Sequence, residues 1–298
     1  MLVSEISPVH LSVLREEVAA WLSPRTGCVL VDGTLGAGGH TRALAERVGP
    51  AGLVVALDRD PAALDAAQPR LSGLPVRLAQ ANFCDLPEVL RTLGIEAVNG
   101  VVLDLGMSSD QLADPSRGFS FDADGPLDLR FDPTAGEPAW RLLNRLSAEH
   151  LAELIYHYGE ERHSRRIARA IVENRRDQPI HTARQLAAIV RECIPRSRNP
   201  RIDPATLTFQ ALRIAVNDEL KSLEIALRRT AECLRPQARL AVISFHSLED
   251  RRVKEAFRDD PRYEALTKKP VRPTEDEIAA NPRARSAKLR VAARTAVQ

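Results

Sequence analysis

Apolar positions in the first third of the chain fall into short solid runs, separated by longer stretches with helical spacing. Cys28–Asp32, Leu53–Asp58 and Val101–Asp104 are runs of consecutive apolar residues, each closed by an aspartate. That is the pattern of strands buried on both faces of a parallel sheet. Val76–Ala79 is a further strand candidate, leading into Asn82-Phe83. Between these runs, Leu11–Leu22 places Leu14, Val18 and Trp21/Leu22 on one helical face. Thr41–Val48, Leu86–Leu93 and Pro61–Leu71 also read as helices, the last with a proline near its first turn. Strands alternating with helices predict βαβ units and an α/β fold with a parallel sheet.

The pattern then changes. Met107 to Gly136 is rich in Gly, Pro, Ser and Asp and shows no period. Ala148–Tyr158, Glu160–Asn174 and Thr182–Cys193 follow as successive helices, and Pro195–Pro204, with three prolines, reads as a linker. Phe209–Leu234 is one long helical pattern, and Arg239–Phe245 returns as an apolar strand. The sheet is therefore expected to be interrupted and resumed. A discontinuous sheet domain would span 1–112 and 207–298, with an inserted all-helical domain at 113–206. The tail from Tyr263 onward is proline-rich and basic, and the sequence assigns it no definite structure.

Composition narrows the class. The 298 residues are 44% hydrophobic but only 4% aromatic, so the core is expected to be aliphatic. No run of 18 or more apolar residues appears, so no membrane span is expected. Met1–His10 lacks the pattern of a secretory leader. Cys28, Cys84, Cys193 and Cys233 are far apart and form no C-x-x-C pair. Reduced thiols in a cytoplasmic protein without a metal site are the simplest reading. The net charge of +2 conceals segregation. Residues 1–160 hold 12 Lys/Arg against 22 Asp/Glu, residues 161–201 hold 11 against 4, and residues 251–298 hold 13 against 7. Such segregation either builds a basic face for a polyanion or simply solvates arginine-rich helices.

The chemistry concentrates after the first strand, at Asp32-Gly33-Thr34-Leu35-Gly36-Ala37-Gly38-Gly39-His40. Glycines let backbone approach a ligand closely, and the helix behind them offers N–H groups to an anion. Asp58 lies 20 residues after Gly38, at the end of the second strand, where a carboxylate accepts from ribose hydroxyls. A nucleotide-like cofactor follows, but not which one. The strict G-x-G-x-x-G fingerprint is absent, which disfavours NAD. Asp32 suits a cationic methionyl end better than a pyrophosphate. An NAD-dependent oxidoreductase and a non-catalytic RNA-binding module stay open on the residues alone.

Longer motifs go further. They include His10-Leu11-Ser12-Val13-Leu14, the glycine turn itself, Asp58-Arg59-Asp60 and Asp104-Leu105-Gly106-Met107-Ser108-Ser109. Arg117-Gly118-Phe119-Ser120-Phe121, Asp124-Gly125-Pro126-Leu127-Asp128-Leu129-Arg130 and Tyr158-Gly159-Glu160-Glu161-Arg162 follow. Thr208-Phe209-Gln210-Ala211-Leu212-Arg213, Ile243-Ser244-Phe245-His246-Ser247-Leu248-Glu249-Asp250-Arg251 and Asn281-Pro282-Arg283-Ala284-Arg285-Ser286 complete the set. In this order and spacing the chain resembles the bacterial RsmH family, formerly called MraW. Its members methylate the exocyclic 4-amino group of a cytidine in small-subunit (16S) ribosomal RNA.

The resemblance implies a Rossmann-like class I methyltransferase sheet with an inserted helical domain, and S-adenosyl-L-methionine as cofactor. It implies the small-subunit RNA, or the assembled small subunit, as partner; homodimers are plausible for the family. Carried over by position, the family's cofactor contacts fall on Gly38, Gly39, His40, Asp58, Phe83, Asp104 and Gln111. Two departures stand out: Asp203 replaces the family's usual histidine and Leu207 its usual arginine.

The cytosine amine is a poor nucleophile, so alignment and a proton acceptor are the tasks of such an enzyme. Asp104 and His246, both at strand ends, are the candidates for that acceptor, with Asp128 a weaker third. Phe119 and Phe121 could stack on the extruded base, or instead anchor the insert. Arg117, Arg130, Arg166 and Arg169 are candidates for RNA phosphates.

Overall fold

The computed structural model describes residues 12–194 and 203–296. The start of the first family motif, and most of the Pro195–Pro204 linker, lie outside the described residues. The chain divides into two compact units, 1–107 with 221–298, and 108–220.

The first unit opens with α1 (Arg15–Leu22), entered through Leu14 at φ 53°. It continues as β1 (Val29–Asp32), α2 (Gly39–Val48), β2 (Leu53–Asp58), α3 (Pro61–Arg70), β3 (Val76–Gln80), α4 (Leu86–Thr92) and β4 (Val98–Asp104). The neighbouring strands β3, β2, β1 and β4 are all parallel. Period-two alternation sends side chains of each strand to opposite faces. Val31 of β1 and Val101 and Leu103 of β4 enter one core cluster, with Leu86 and Leu90 of α4. Leu30, Val54 and Val102 enter the other, with Val18 and Leu22 of α1 and Leu44 and Val48 of α2. Both faces are thus covered by helices, which explains why these strands are apolar throughout.

The second unit begins with α5 (Ser109–Ala113), closed by a capping box in which Ser108 and Gln111 satisfy each other's backbone N–H groups (3.1 and 3.0 Å). A stretch of irregular backbone leads to α6 (Ala139–Arg145), α7 (Ala148–Gly159), α8 (Ser164–Asp177), α9 (Ala183–Cys193) and α10 (Thr206–Asn217). The irregular stretch is fastened from within. Asn217 donates to Leu129 O and accepts from Phe131 N, both at 2.7 Å. Leu127 N donates to His181 O at 2.7 Å. Helix α7 packs on α8 and on α10. So α10, placed by its sequence in the sheet domain beginning at 207, belongs to the helical unit, which extends from 108 to 220.

The long helical pattern of 209–234 is two helices. Asp218 takes the left-handed conformation (φ 50°) and caps α10, and α11 (Glu219–Cys233) follows. Periodicity did not reveal the break, because the apolar face resumes on the far side with Leu223, Ala226 and Leu227. In the first unit, β5 (Leu234–Ser244) then pairs parallel with β4. Next come α12 (Ser247–Asp259), β6 (Tyr263–Ala265), α13 (Glu275–Ala280) and β7 (Lys288–Arg294). The tail left without definite structure thus supplies two strands. β7 lies antiparallel between β5 and β6, with Leu289, Val291 and Ala292 fully buried. Its cationic residues hid it. Arg290 is itself buried and bonds Asp250 (Nε–Oδ1 2.7 Å), and Lys288 reaches the same carboxylate at 3.3 Å.

The complete sheet has the order β3-β2-β1-β4-β5-β7-β6. It is a Rossmann-like open sheet, parallel except for the strand that runs back between the last two. The order reverses between β1 and β4, so a crevice opens at the carboxyl ends of those strands, where open α/β sheets hold their ligands.

Candidate active site

Asp32, Asp58 and Asp104 close β1, β2 and β4 at one edge of the sheet. The glycine turn rises from the first of them. Gly38 stands at the N-cap of α2 with φ 83°, and no side chain caps the helix. Its first N–H groups are therefore available to a carboxylate. A side chain at Gly38 would be strained in this left-handed conformation.

The three aspartates differ in what surrounds them. Asp32 is fully buried. Its Oδ2 accepts from Thr41 Oγ1 at 2.7 Å and its Oδ1 from Thr34 N at 3.1 Å. Burial raises its pKa, opposed in part by the His40 charge and the two threonines. Both oxygens are turned into the protein, so Asp32 fixes the turn rather than offering itself to a cationic ligand. Asp58 is partly buried, with Oδ2 accepting from Gly36 N (2.8 Å) and Oδ1 from Asp60 N (3.0 Å). Burial pushes its pKa up to about 6, against the pull of these two backbone N–H groups. A carboxylate has about four acceptor sites, so two remain for hydroxyl donors.

Asp104 is tied to the turn through its own backbone, whose N–H donates to Thr34 Oγ1 at 2.7 Å. Its Oδ2 lies 3.5 Å from His40 Nε2, an ion-pair distance too long for a strong hydrogen bond. Among the described residues, neither Asp104 Oδ1 nor His40 Nε2 has a hydrogen-bond partner. Burial depresses the pKa of His40, but the Asp104 carboxylate close by, with the charge of Asp32, outweighs it, and the net shift is upward. Two neighbouring residues that each bury a polar atom without a partner offer what a polar ligand would complete. Phe83 stands beside the turn on a short 3₁₀ turn, Phe83–Asp85. A Cβ placed on Gly33 would come within 3.2 Å of Phe83 Cβ. One edge of the sheet unit thus collects Gly38, Gly39, His40, Asp58, Phe83 and Asp104. Gln111 lies in the helical unit, in the α5 capping box.

His246 is the N-cap of α12. Its Nδ1 accepts from Glu249 N at 3.4 Å, while Glu249 Oε2 accepts from Phe245 N (2.8 Å) and His246 N (3.2 Å). Its Nε2 lies 3.1 Å from Glu249 Oε1. The ring is thus engaged in starting a helix. Asp128 is occupied by Arg130, which grips both its oxygens at 2.7 Å.

The insert's phosphate candidates separate in the same way. Arg117 is buried, and its Nη2 donates to Arg130 O and Phe131 O at 2.8 Å. Arg130, besides holding Asp128, donates to Ala135 O and Gly136 O. Both guanidiniums are spent inside the loop. Phe119 is buried and stacks on Phe131 (centroids 5.9 Å apart), and Phe121 meets Phe209 edge-on at 4.9 Å. Arg166 and Arg169 are exposed on α8. Asp203 pairs with Arg191, whose Nε lies 3.1 Å from its Oδ2. Its carboxylate is therefore satisfied within the helical unit.

Sequence reasoning passed over Thr34 and Thr41, which tie Asp32 to its neighbours. Their signal was two threonines flanking the glycines, a hydroxyl on either side of a buried carboxylate.

Comparison with known proteins shows the family. The family model described as the MraW methylase family matches residues 7–295. A Thermomicrobium roseum protein named "Ribosomal RNA small subunit methyltransferase H" is 49% identical, covering 98% of this chain and 95% of its own length. A Cyanothece sp. protein of the same name is 50% identical, covering 99% and 98%. Among solved structures, an rRNA methylase from Streptococcus thermophilus aligns with 13% identity and a TM-score of 0.44, over 99% of each chain. With its methyltransferase sheet and the glycine turn at the strand ends, the chain belongs to the MraW methylase family of S-adenosylmethionine-dependent methyltransferases.

Proposed function

We propose that the chain transfers a methyl group from S-adenosylmethionine to the exocyclic 4-amino group of one cytidine in small-subunit ribosomal RNA. The observation that carries the reading is Asp104 at the β4 end, with one oxygen 3.5 Å from His40 Nε2 and the other without a hydrogen-bond partner among the described residues, in a chain about half identical to small-subunit RNA methyltransferases. The cofactor supplies an electrophilic methyl group. The uncapped start of α2 behind Gly38 and Gly39 would hold its carboxylate, Asp58 its ribose hydroxyls and Phe83 the face of its adenine.

The amine lone pair is delocalised into the cytosine ring, so an acceptor close to the amino N–H is needed to draw density onto nitrogen and then take the proton. Asp104 is best placed for this. His40 faces one of its oxygens, and the other has no partner among the described residues. His246 is the weaker candidate, because Nδ1 already accepts from the α12 backbone. Binding the small subunit falls to the exposed arginines of α8, Arg166 and Arg169 among them.

The test is methyl transfer from labelled cofactor to small ribosomal subunits from a strain lacking the enzyme, with the modified nucleotide mapped. Label on a cytidine N4 is the expected result. Label on another atom, on protein or on the large subunit would overturn the reading.

A further inference from the structure

Helices α7 and α8 enclose a groove of about 810 Å³ within the helical unit. Its α7 wall carries Tyr156 and His157, its α8 wall carries Arg165 and Arg169, and Arg162 comes from the turn between the two helices. Tyr156 is 55% exposed; among the described residues Leu207, at 37%, is the one other large apolar side chain that is exposed. Its ring meets the His157 ring edge-on at 5.3 Å, so two aromatic faces stand together at the surface.

Three arginines stand around the ring. Elsewhere in this unit Arg145, Arg184 and Arg191 each lie within ion-pair distance of a carboxylate. Arg162, Arg165 and Arg169 form no such pair among the described residues, although Glu149 and Glu153 line the same groove. Arg165 and Arg169 are one turn apart and repel each other. Arg165 and Arg166 also stand in the first turn of α8, which has no acidic residue, so they oppose the helix dipole. These cations are left unneutralised around an exposed ring.

We infer that this groove is a binding subsite for a single-stranded RNA segment, with a base stacked on Tyr156 and the backbone phosphates held by Arg165 and Arg169. The inference rests on the RNA methyltransferase reading and adds a site for nucleotides other than the one methylated. Unpaired guanidiniums beside an accessible aromatic face suit single-stranded nucleic acid, which offers regularly spaced phosphates and planar bases together. An acidic peptide supplies the charge but not the planar faces. The volume falls in the range of about 300–1,000 Å³ usual for small-ligand clefts, room for a nucleotide or two rather than a duplex.

The test uses the full chain and a fluorescein-labelled, unstructured single-stranded RNA of about ten nucleotides, followed by anisotropy over a salt series. Tyr156→Ala is expected to weaken binding about tenfold, and Tyr156→Phe to leave it within about twofold, because stacking needs the ring and not the hydroxyl. Arg165→Gln with Arg169→Gln should lower the slope of log affinity against log salt by about 1.4, for two lost contacts to a single strand. S-adenosylhomocysteine affinity, measured by calorimetry on the same variants, should not change.

Unchanged RNA affinity in Tyr156→Ala together with an unchanged salt slope would overturn the inference. So would a poly-glutamate peptide that binds more tightly than the RNA and depends equally on Tyr156. The two readings fail separately. If the wild type methylates small subunits and Tyr156→Ala changes neither RNA affinity nor the KM for the subunit, the groove assignment falls alone. If no methyl transfer to small subunits occurs but RNA binding still depends on Tyr156, the groove stands and the substrate reading falls.

Discussion

Asp58 links cofactor affinity to pH with a sign and size that can be worked out. Its carboxyl sits at about 6 in the folded chain, against 3.8 for the free side chain, because burial outweighs the two backbone N–H groups on it. The pKa is raised, so the neutral form is the one the fold favours. The group's contribution to stability is present below 3.8 and is lost as pH rises toward about 6. Full linkage would make ionisation cost about 3 kcal/mol; allowing for partial solvent contact, about 2 kcal/mol is realistic. If ribose hydroxyls donate to Asp58, binding requires the ionised form. From pH 7 to pH 5 the ionised fraction falls about tenfold, which is about 1.4 kcal/mol of affinity. Asp58→Asn accepts fewer and weaker bonds from the hydroxyls. It should cost about 1.5–3 kcal/mol of affinity at pH 7.5 and remove the acid limb. Titration calorimetry with S-adenosylhomocysteine between pH 5 and 8 measures both effects, since the ligand's own groups do not titrate in that window. His40, in the same site, has its pKa raised by Asp104 and Asp32 in spite of burial, and the comparison with Asp58→Asn separates its titration from that of Asp58. A wild-type Kd that changes less than twofold from pH 7 to pH 5, or an equal acid limb in Asp58→Asn, would refute the reasoning.

Further predictions follow from the same contacts. Asp104→Asn keeps the shape but cannot take a proton, so kcat should fall by about 10²–10⁴ with S-adenosylhomocysteine affinity changed far less. His246→Asn, which preserves a good helix cap, should keep most of the activity; inactivity in the second variant but not in the first reverses the assignment of the acceptor. Thr41→Ala removes the Oγ1 donor from the buried Asp32 oxygen, and urea denaturation should show a loss of about 1–3 kcal/mol. Gly118→Ala adds a Cβ 2.5 Å from Pro126 O and 2.9 Å from Leu127 Cα at φ 70°. Backbone cannot yield there cheaply, so a loss of about 2 kcal/mol or more is expected, checked by thermal melting and by proteolysis of the 108–138 stretch.

What the sequence revealed and what it hid divide along one physical line. The strands β1, β2 and β4 were legible because both faces are buried, which forces solid apolar runs, and because each ends in a polar residue at the sheet edge. β7 was not, because Arg290 occupies a buried position that is tolerable only with Asp250 opposite it, 40 residues earlier in the chain. The break at Asp218 was hidden for a related reason. A single left-handed residue changes the direction of a helix without disturbing the apolar spacing on either side. In the insert, Arg117 and Arg130 read as free cations because nothing local in the sequence announces that backbone carbonyls and Asp128 consume them. Tyr156 gave no signal, since one aromatic on an amphipathic helix is ordinarily a core residue.

The three strand-end aspartates show how far one sequence signal can be resolved. Asp32, Asp58 and Asp104 look alike in the sequence: an apolar run closed by a carboxylate at the same edge of a parallel sheet. What separates them is the donors that their own loops supply. After β1 the loop returns Thr34 N–H and the first turn of α2 returns the Thr41 hydroxyl, so both Asp32 oxygens are engaged and the residue is buried. Asp58 receives only backbone N–H groups, one to each oxygen, Asp60 N from its own loop and Gly36 N from the glycine turn after β1, and half its acceptor capacity stays open. After β4 the loop's described residues supply no hydrogen bond to the side chain; Asp104 is held through its backbone by Thr34, and one of its oxygens lies 3.5 Å from His40 Nε2. A graded series results: one aspartate that braces the turn, one that can accept from a neutral diol, and one left with an oxygen free for a proton. The grading also fixes an order of sensitivity. Changes at Asp32 should register first in stability, at Asp58 in cofactor affinity, and at Asp104 in the rate of methyl transfer.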